Sequence, residues 1–106
     1  MTKAVRFRKT IQLEQIIKKL REHLPYLQKH YSVKTLGVFG SYARGEQKPA
    51  SDIDILVEFN QAPSLFKYIE LENHISELLG IKVDLVMKSS LKPRIGQRIL
   101  SEVVQI

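Results

Sequence analysis

Apolar residues return along this chain at two spacings, and the switches between them mark its elements. From Ile11 to about Lys29, the positions Leu13, Ile16, Ile17, Leu20, Leu24 and Leu27 recur at helical spacing. Thr10 is placed to cap that helix, and Pro25 within it predicts a kink or break near His23 and Leu24. The first ten residues, with Arg6, Arg8 and Lys9, read as an arm or an edge strand. A β-patterned run follows from Lys34 to Phe39. Gly40 to Ser51 then reads as a turn, a short helix and a loop, the loop marked by Gly45, Pro49 and Ser51. The second strand is Ile53 to Phe59, broken by Asn60-Gln61-Ala62-Pro63. A second long helix spans Ser64 to Leu79, with Leu65, Ile69, Ile75, Leu78 and Leu79 as its expected core face and Gly80 as its terminator. The third strand is Lys82 to Val86. Ser90 is the expected cap of a last helix that tolerates Pro93 in its first turn. Leu91, Ile95, Ile99 and Val103 form the expected buried stripe of that helix, which Gly96 weakens by roughly 1 kcal/mol relative to alanine.

The predicted order is α-β-α-β-α-β-α. Alternation of this kind suggests a parallel sheet, but periodicity leaves the strand directions open. No internal repeat, low-complexity tract or linker divides the sequence, so residues 1–106 are expected to form one domain.

The second strand is led in by Asp52-Ile53-Asp54. In a strand, residues i and i+2 share a face, so both carboxylates point the same way. Held side by side they repel each other and lose hydration, and a bridging cation offsets both costs. An Asp-x-Asp pair alone is a weak signal, since most are solvated loop residues. The flanking Ile53, Ile55, Leu56 and Val57 argue instead for a strand entering the core. A third carboxylate, Asp84, stands between Val83 and Leu85, where it is costly unless paired with a cation or hydrogen-bonded. A salt bridge to Lys82 or Lys34 is its structural alternative. Ten residues separate Asp52 from Gly40-Ser41, where the first strand ends and a helix would begin. A helix start offers free N–H groups to an anion such as phosphate, and glycine has no side chain to bar the approach. A phosphate cradle beside paired carboxylates implies phosphoryl or nucleotidyl transfer. Arg44, one turn into the short helix, is placed to pair with a phosphate or with a motif carboxylate, or to form a structural ion pair that holds the loop. Tyr42 suits core packing better than base stacking. Lys88, Arg94 and Arg98 are within reach of a triphosphate or partner, although a solvated face accounts for most such charges. His23, His30 and His74 share no metal-ligand spacing.

The stretch GSYARGEQKPASDIDILVEF resembles the signature of the DNA polymerase β-type nucleotidyltransferases. Within that superfamily the chain is similar to the minimal nucleotidyltransferase (MNT) antitoxins, which are encoded beside a HEPN-domain toxin, an RNase. The resemblance runs from about Val33 to the C-terminal helix. It implies an α+β fold of two layers, with a small mixed β-sheet, helices packed on one face and the active site on the other. It implies two Mg²⁺ ions, with Mn²⁺ as a substitute, held by Asp52, Asp54 and Asp84. Gly40, Ser41 and Arg44 would bind the nucleotide, and Asp84 would help deprotonate the attacking hydroxyl. Oxygen ligands alone suit these metals better than zinc. The implied activity is transfer of AMP from ATP to a hydroxyl, expected to be a tyrosine, of the cognate HEPN toxin. That would make the chain the antitoxin of a type VII-like pair and a hetero-oligomer with its target. A binding antitoxin without catalysis, and a nucleotidyltransferase acting on a small molecule, are the alternatives.

Charge and composition change this picture modestly. The formal net charge is +6. Residues 1–48 hold eleven Lys and Arg against three Asp and Glu, whereas residues 49–106 hold six against eight. The basic half can steer ATP, nucleic acid or an acidic partner, or simply form a solvated helix face. Direct nucleic-acid binding through Arg6, Arg8, Lys18, Lys19 and Arg21 ranks last, because no aromatic stacking platform accompanies them. There are no cysteines, so no disulfide or thiolate zinc site forms. The first residues lack the apolar segment of a signal peptide, and no run approaches a membrane span. A cytoplasmic protein is the expectation. The length leaves no room for a second substrate-holding domain, so a folded partner is expected to supply that wall.

Overall fold

The computed structural model describes residues 12–106. The expected arm, the Thr10 cap and the helix start at Ile11 lie outside the described residues. Helix α1 runs over Leu13–Tyr31, without the break expected at Pro25. A proline removes one helical hydrogen bond, that to the carbonyl four residues back. Here Pro25 and Arg21 are both exposed, so water can satisfy that carbonyl. Ile16, Leu20 and Leu27 are fully buried on the opposite side. The helix ends through Ser32, whose φ of 58° is left-handed.

The following elements are β1 (Val33–Phe39), the single turn α2 (Ser41–Arg44), β2 (Ile53–Phe59), α3 (Leu65–Leu79), β3 (Val83–Met87), a 3₁₀ turn at Lys88–Ser90, α4 (Pro93–Glu102) and β4 (Val104–Gln105). The short β4 is an addition to the expected order. The sheet runs β3-β2-β1-β4. β1 pairs antiparallel with β2 and with β4, whereas β2 and β3 are parallel. The sheet is therefore mixed, and the parallel sheet suggested by alternation does not form. The connection from β1 to β2, residues 40–52, holds only the single turn α2, whereas a crossover between parallel neighbours is usually built on a full helix.

Leu36, Val38, Ile53, Ile55, Val57, Val83 and Leu85 join Ile16, Leu20 and Leu27 of α1 and Leu71, Ile75 and Leu79 of α3 in one core. By strand alternation, Phe39, Asp54, Leu56 and Asp84 belong to the other sheet face. There Gly37 meets the turn out of α4, for a Cβ at Gly37 would run into Val103.

Two helix faces differ from expectation. In α3, Leu65 and Ile69 are 74% and 45% exposed, while Leu71, fully buried, takes their place beside Ile75 and Leu79. Ile69 lies about 160° round the helix from Leu71, so the two cannot share a core face. Leu78 packs partly buried at the edge. Ser64 caps this helix, accepting the Lys67 N–H at 3.2 Å, and Gly80 ends it at φ 71°. In α4, Ile95 is 58% exposed and the buried position is Gly96. A Cβ on Gly96 would press within 3.2 Å of Leu91, so this glycine is a packing choice as well as a propensity cost. The cap is Lys92, because Ser90 belongs to the 3₁₀ turn. Val103 leaves the helix and leads into β4.

Long-range contacts clasp α1 to α3. His23 Nε2 and His74 Nε2 are 2.8 Å apart, and Tyr31 Oη donates to Glu70 Oε2 at 3.1 Å. Tyr26 stacks on His74 at 5.3 Å between centroids.

Candidate active site

β1 ends at Phe39, which is paired in register with Asp54 of β2. The chain then turns at Gly40, with φ 77° and ψ −152°, into α2. That backbone favours glycine. A Cβ there would also overlap the Asp54 carboxylate. The need for glycine comes first from the neighbouring carboxylate, before any phosphate is considered.

Asp54 is in turn the register partner of Asp84 across the parallel β2–β3 pair. Neighbouring strands lie about 4.8 Å apart, so the two carboxylates leave the sheet side by side. Asp52 is exposed and stands just ahead of β2. Asp54 is half-buried. Asp84 is exposed, contrary to the buried setting its neighbours suggested, because β3 is the edge strand and Asp84 points off the core face. The desolvation cost therefore falls on Asp54. Burial holds its carboxyl above the usual carboxylate range, Asp84 and Asp52 push it further, and Arg44 acts against them. Among the described ion pairs, Lys34 goes to Glu58 at 3.9 Å, and none involves Asp84.

No group of three or more His, Cys, Asp or Glu side chains among the described residues is arranged to hold a metal alone. The Asp54–Asp84 pair instead suits Mg²⁺ in its usual mode, in which one or two carboxylates share the ion with water and substrate phosphates. Like charges raising the Asp54 pKa are the sign of a pair that a cation would relieve. The residues fit magnesium on these terms.

Gly40, Ser41, Arg44 and Asp54 line one cleft of about 440 Å³ with Arg98, Ile95 and Glu102. Asp52 and Asp84 are not among its lining residues. A one-turn helix has little macrodipole, so anion attraction in this cleft rests on individual N–H groups and guanidinium charges. The Arg44 Nε donates to Glu46 Oε1 at 2.9 Å, and its Nη1 to Glu102 Oε1 at 3.1 Å. The Arg44–Glu46 pair is the structural ion pair at the loop that the sequence had left open. Glu102 also accepts the Gly40 N–H at 2.8 Å. Sequence reasoning missed Glu102, since no local pattern links the end of α4 to a turn 62 residues earlier. Tyr42 is buried in the core as expected, its phenol raised by burial and by Asp52. Of the outer cations, Arg98 reaches the cleft and Lys88 pairs with Glu58 at 3.7 Å. No described helix is long and apolar enough to cross a membrane.

Comparison with known proteins agrees with this arrangement. The family described as a nucleotidyltransferase domain matches residues 13–106. A protein of Thermococcus cleftensis named protein adenylyltransferase MntA is 53% identical over 94 residues, covering 89% of this chain and 95% of its own length. A solved structure described as a minimal nucleotidyltransferase matches with a TM-score of 0.77 at 33% identity, covering 92% of this chain and 99% of that one. A structure of a tri-AMPylated Shewanella oneidensis HEPN toxin in complex with MNT antitoxin matches with a TM-score of 0.56 at 27% identity, covering 87% of this chain and 66% of that one.

Proposed function

The chain belongs to the nucleotidyltransferase domain family, and on that premise we propose that it is an antitoxin that transfers AMP from ATP to a tyrosine hydroxyl of a HEPN toxin. The observation that carries this reading is the Asp54–Asp84 pair set in register beside Gly40. The relatives named for protein adenylyl transfer and for an AMPylated HEPN toxin supply the acceptor class.

In this reading the hydroxyl oxygen attacks the α-phosphorus of ATP. The bond to the β-phosphate breaks, and pyrophosphate leaves. Mg²⁺, when bound, neutralises triphosphate charge and activates the attacking oxygen. Asp52 and Asp54 would hold it, with Asp84 completing a second position and taking the hydroxyl proton. Ser41, the Gly40 N–H and Arg44 would orient the phosphates. The basic α1 face, with Lys18, Lys19 and Arg21, would guide an acidic partner.

The test is to incubate the purified chain with a HEPN protein encoded beside it, α-labelled ATP and Mg²⁺. Label and AMP-sized mass additions are expected on the HEPN protein, lost with EDTA and with Asp54→Asn. A HEPN protein that stays unmodified yet is neutralised equally by Asp54→Asn would mean inhibition by binding alone.

A further inference from the structure

Glu102 is the last residue of α4, yet its carboxylate reaches across to the turn after β1. Oε2 accepts the Gly40 N–H at 2.8 Å, and Oε1 and Oε2 accept Arg44 Nη1 at 3.1 and 3.2 Å. Those are a backbone donor and a guanidinium of the kind a phosphate oxygen seeks. The carboxylate also adds negative charge to a cleft that already holds Asp54, and it is one of the groups that raise the Asp54 pKa. The Gly40 N–H, and then Arg44, hold the Glu102 carboxyl below its ordinary value against the cost of burial, so these donors favour an anion at this place.

We propose that Glu102 is an internal stand-in for a nucleotide phosphate, occupying the Gly40 N–H and Arg44 until a triphosphate displaces it. The proposal rests on the nucleotidyl-transfer reading of the same cleft.

The surroundings allow the exchange. The backbone just after Glu102 is fastened: Val103 N donates to the Ile99 carbonyl at 2.9 Å, and Ile106 N to the Leu36 carbonyl at 2.9 Å. Displacement therefore needs only a side-chain rotation. The side chain is 22% exposed, so it has an outlet to water. Arg44 keeps its Nε bond to Glu46 at 2.9 Å throughout, which leaves Nη1 aimed at the incoming anion. Arg98 lies in the same cleft and attracts the Glu102 carboxylate, so the displaced group has a second cation nearby. One charge-assisted set of bonds replaces another. The consequence is selectivity by charge: a single weak anion gains little by displacing Glu102, whereas a metal-bound triphosphate brings enough charge to win.

Calorimetric titration with a non-hydrolysable ATP analogue plus Mg²⁺, and separately with inorganic tripolyphosphate, tests this. Glu102→Gln removes the charge and keeps the shape. It should bind both probes on the order of tenfold more tightly than the unaltered chain, the equivalent of one charged hydrogen bond. Glu46→Gln, which loses the other Arg44 partner without freeing Gly40, should not bind more tightly. If Glu102→Gln fails to fold by thermal melting, Glu102→Asp keeps the charge but shortens the reach and should shift affinity in the same direction. Equal or weaker binding by the folded variant overturns the proposal and makes Glu102 a support for Arg44. Binding by the unaltered chain that is lost in Asp54→Asn, together with no gain in Glu102→Gln, sinks this proposal alone. Absence of any analogue binding by the unaltered chain sinks the nucleotide reading along with it.

Discussion

A carboxylate pressed by folding against two others is a poor choice for stability. Asp54 has its folded-state pKa raised above the ordinary 3.8, first by burial and then by Asp84 and Asp52. The native state thus takes up a proton more readily than the unfolded chain. The stabilisation this group allows is present in acid and is lost as pH rises through the raised folded-state value. Asp54→Asn should therefore melt higher than the unaltered chain at neutral pH in EDTA, with the difference closing in acid, while AMP transfer disappears. Mg²⁺ should raise the melting temperature of the unaltered chain but not of Asp54→Asn, because a ligand stabilises only the state that binds it. The two motif-loop glycines separate strain from crowding. Gly40 and Gly45 share a positive φ, of 77° and 72°, but only Gly40 has a neighbour where a Cβ would go. Gly45→Ala should cost about 1–2 kcal/mol from backbone conformation alone, and Gly40→Ala clearly more, as read from urea unfolding midpoints. At this scale the motif residues were legible in the sequence, because their types and spacing are local. Glu102 was not, because its partners are remote in sequence.

The elements were legible in number and kind more than in facing. Hydrophobic spacing located α1, α3 and three strands, and turn residues located their ends. Pro25 did not break α1, because the lost hydrogen bond falls on an exposed side. The face of α3 was misread because Leu65 and Ile69 satisfy helical spacing with each other, and spacing alone cannot say which of two apolar faces meets the sheet. Substitution separates the two faces. Leu71→Ala, at a fully buried site, should destabilise by about 2–5 kcal/mol. Leu65→Ala, at a residue 74% exposed, should stay within about 0.5 kcal/mol. Chemical denaturation of the two variants checks this directly, and equal losses would restore the original face. The strand β4 was invisible because two residues carry no periodicity.

Contacts across the whole molecule decide what neither residues nor elements can. His23 and His74 lie 51 positions apart, share no spacing, and meet at 2.8 Å between α1 and α3. Burial, and then the charge of His74, hold the His23 pKa below its ordinary 6.5. The native state favours the neutral ring, so its contribution is present above 6.5 and is lost as pH falls through the lowered value. Tyr26 packs with tilted rings against His23 and His30, and Glu70 accepts from Tyr31, so no carboxylate is in hydrogen-bond contact with His23 among the described residues to offset the protonated form. Melting temperature should decline as pH drops below about 6.5, and His23→Gln should flatten that decline. A flat profile in the unaltered chain would remove the pair from the account of stability. Residue types and short-range spacing by themselves determined the Gly-Ser turn, the Asp-x-Asp strand, the positions of the long helices and the family resemblance, since each depends on neighbours a few positions away. Tertiary structure alone decided which helix faces are buried, the register pairing of Asp54 with Asp84, and the closure of Glu102 onto Gly40. These depend on packing between segments whose separation along the chain leaves no periodic trace.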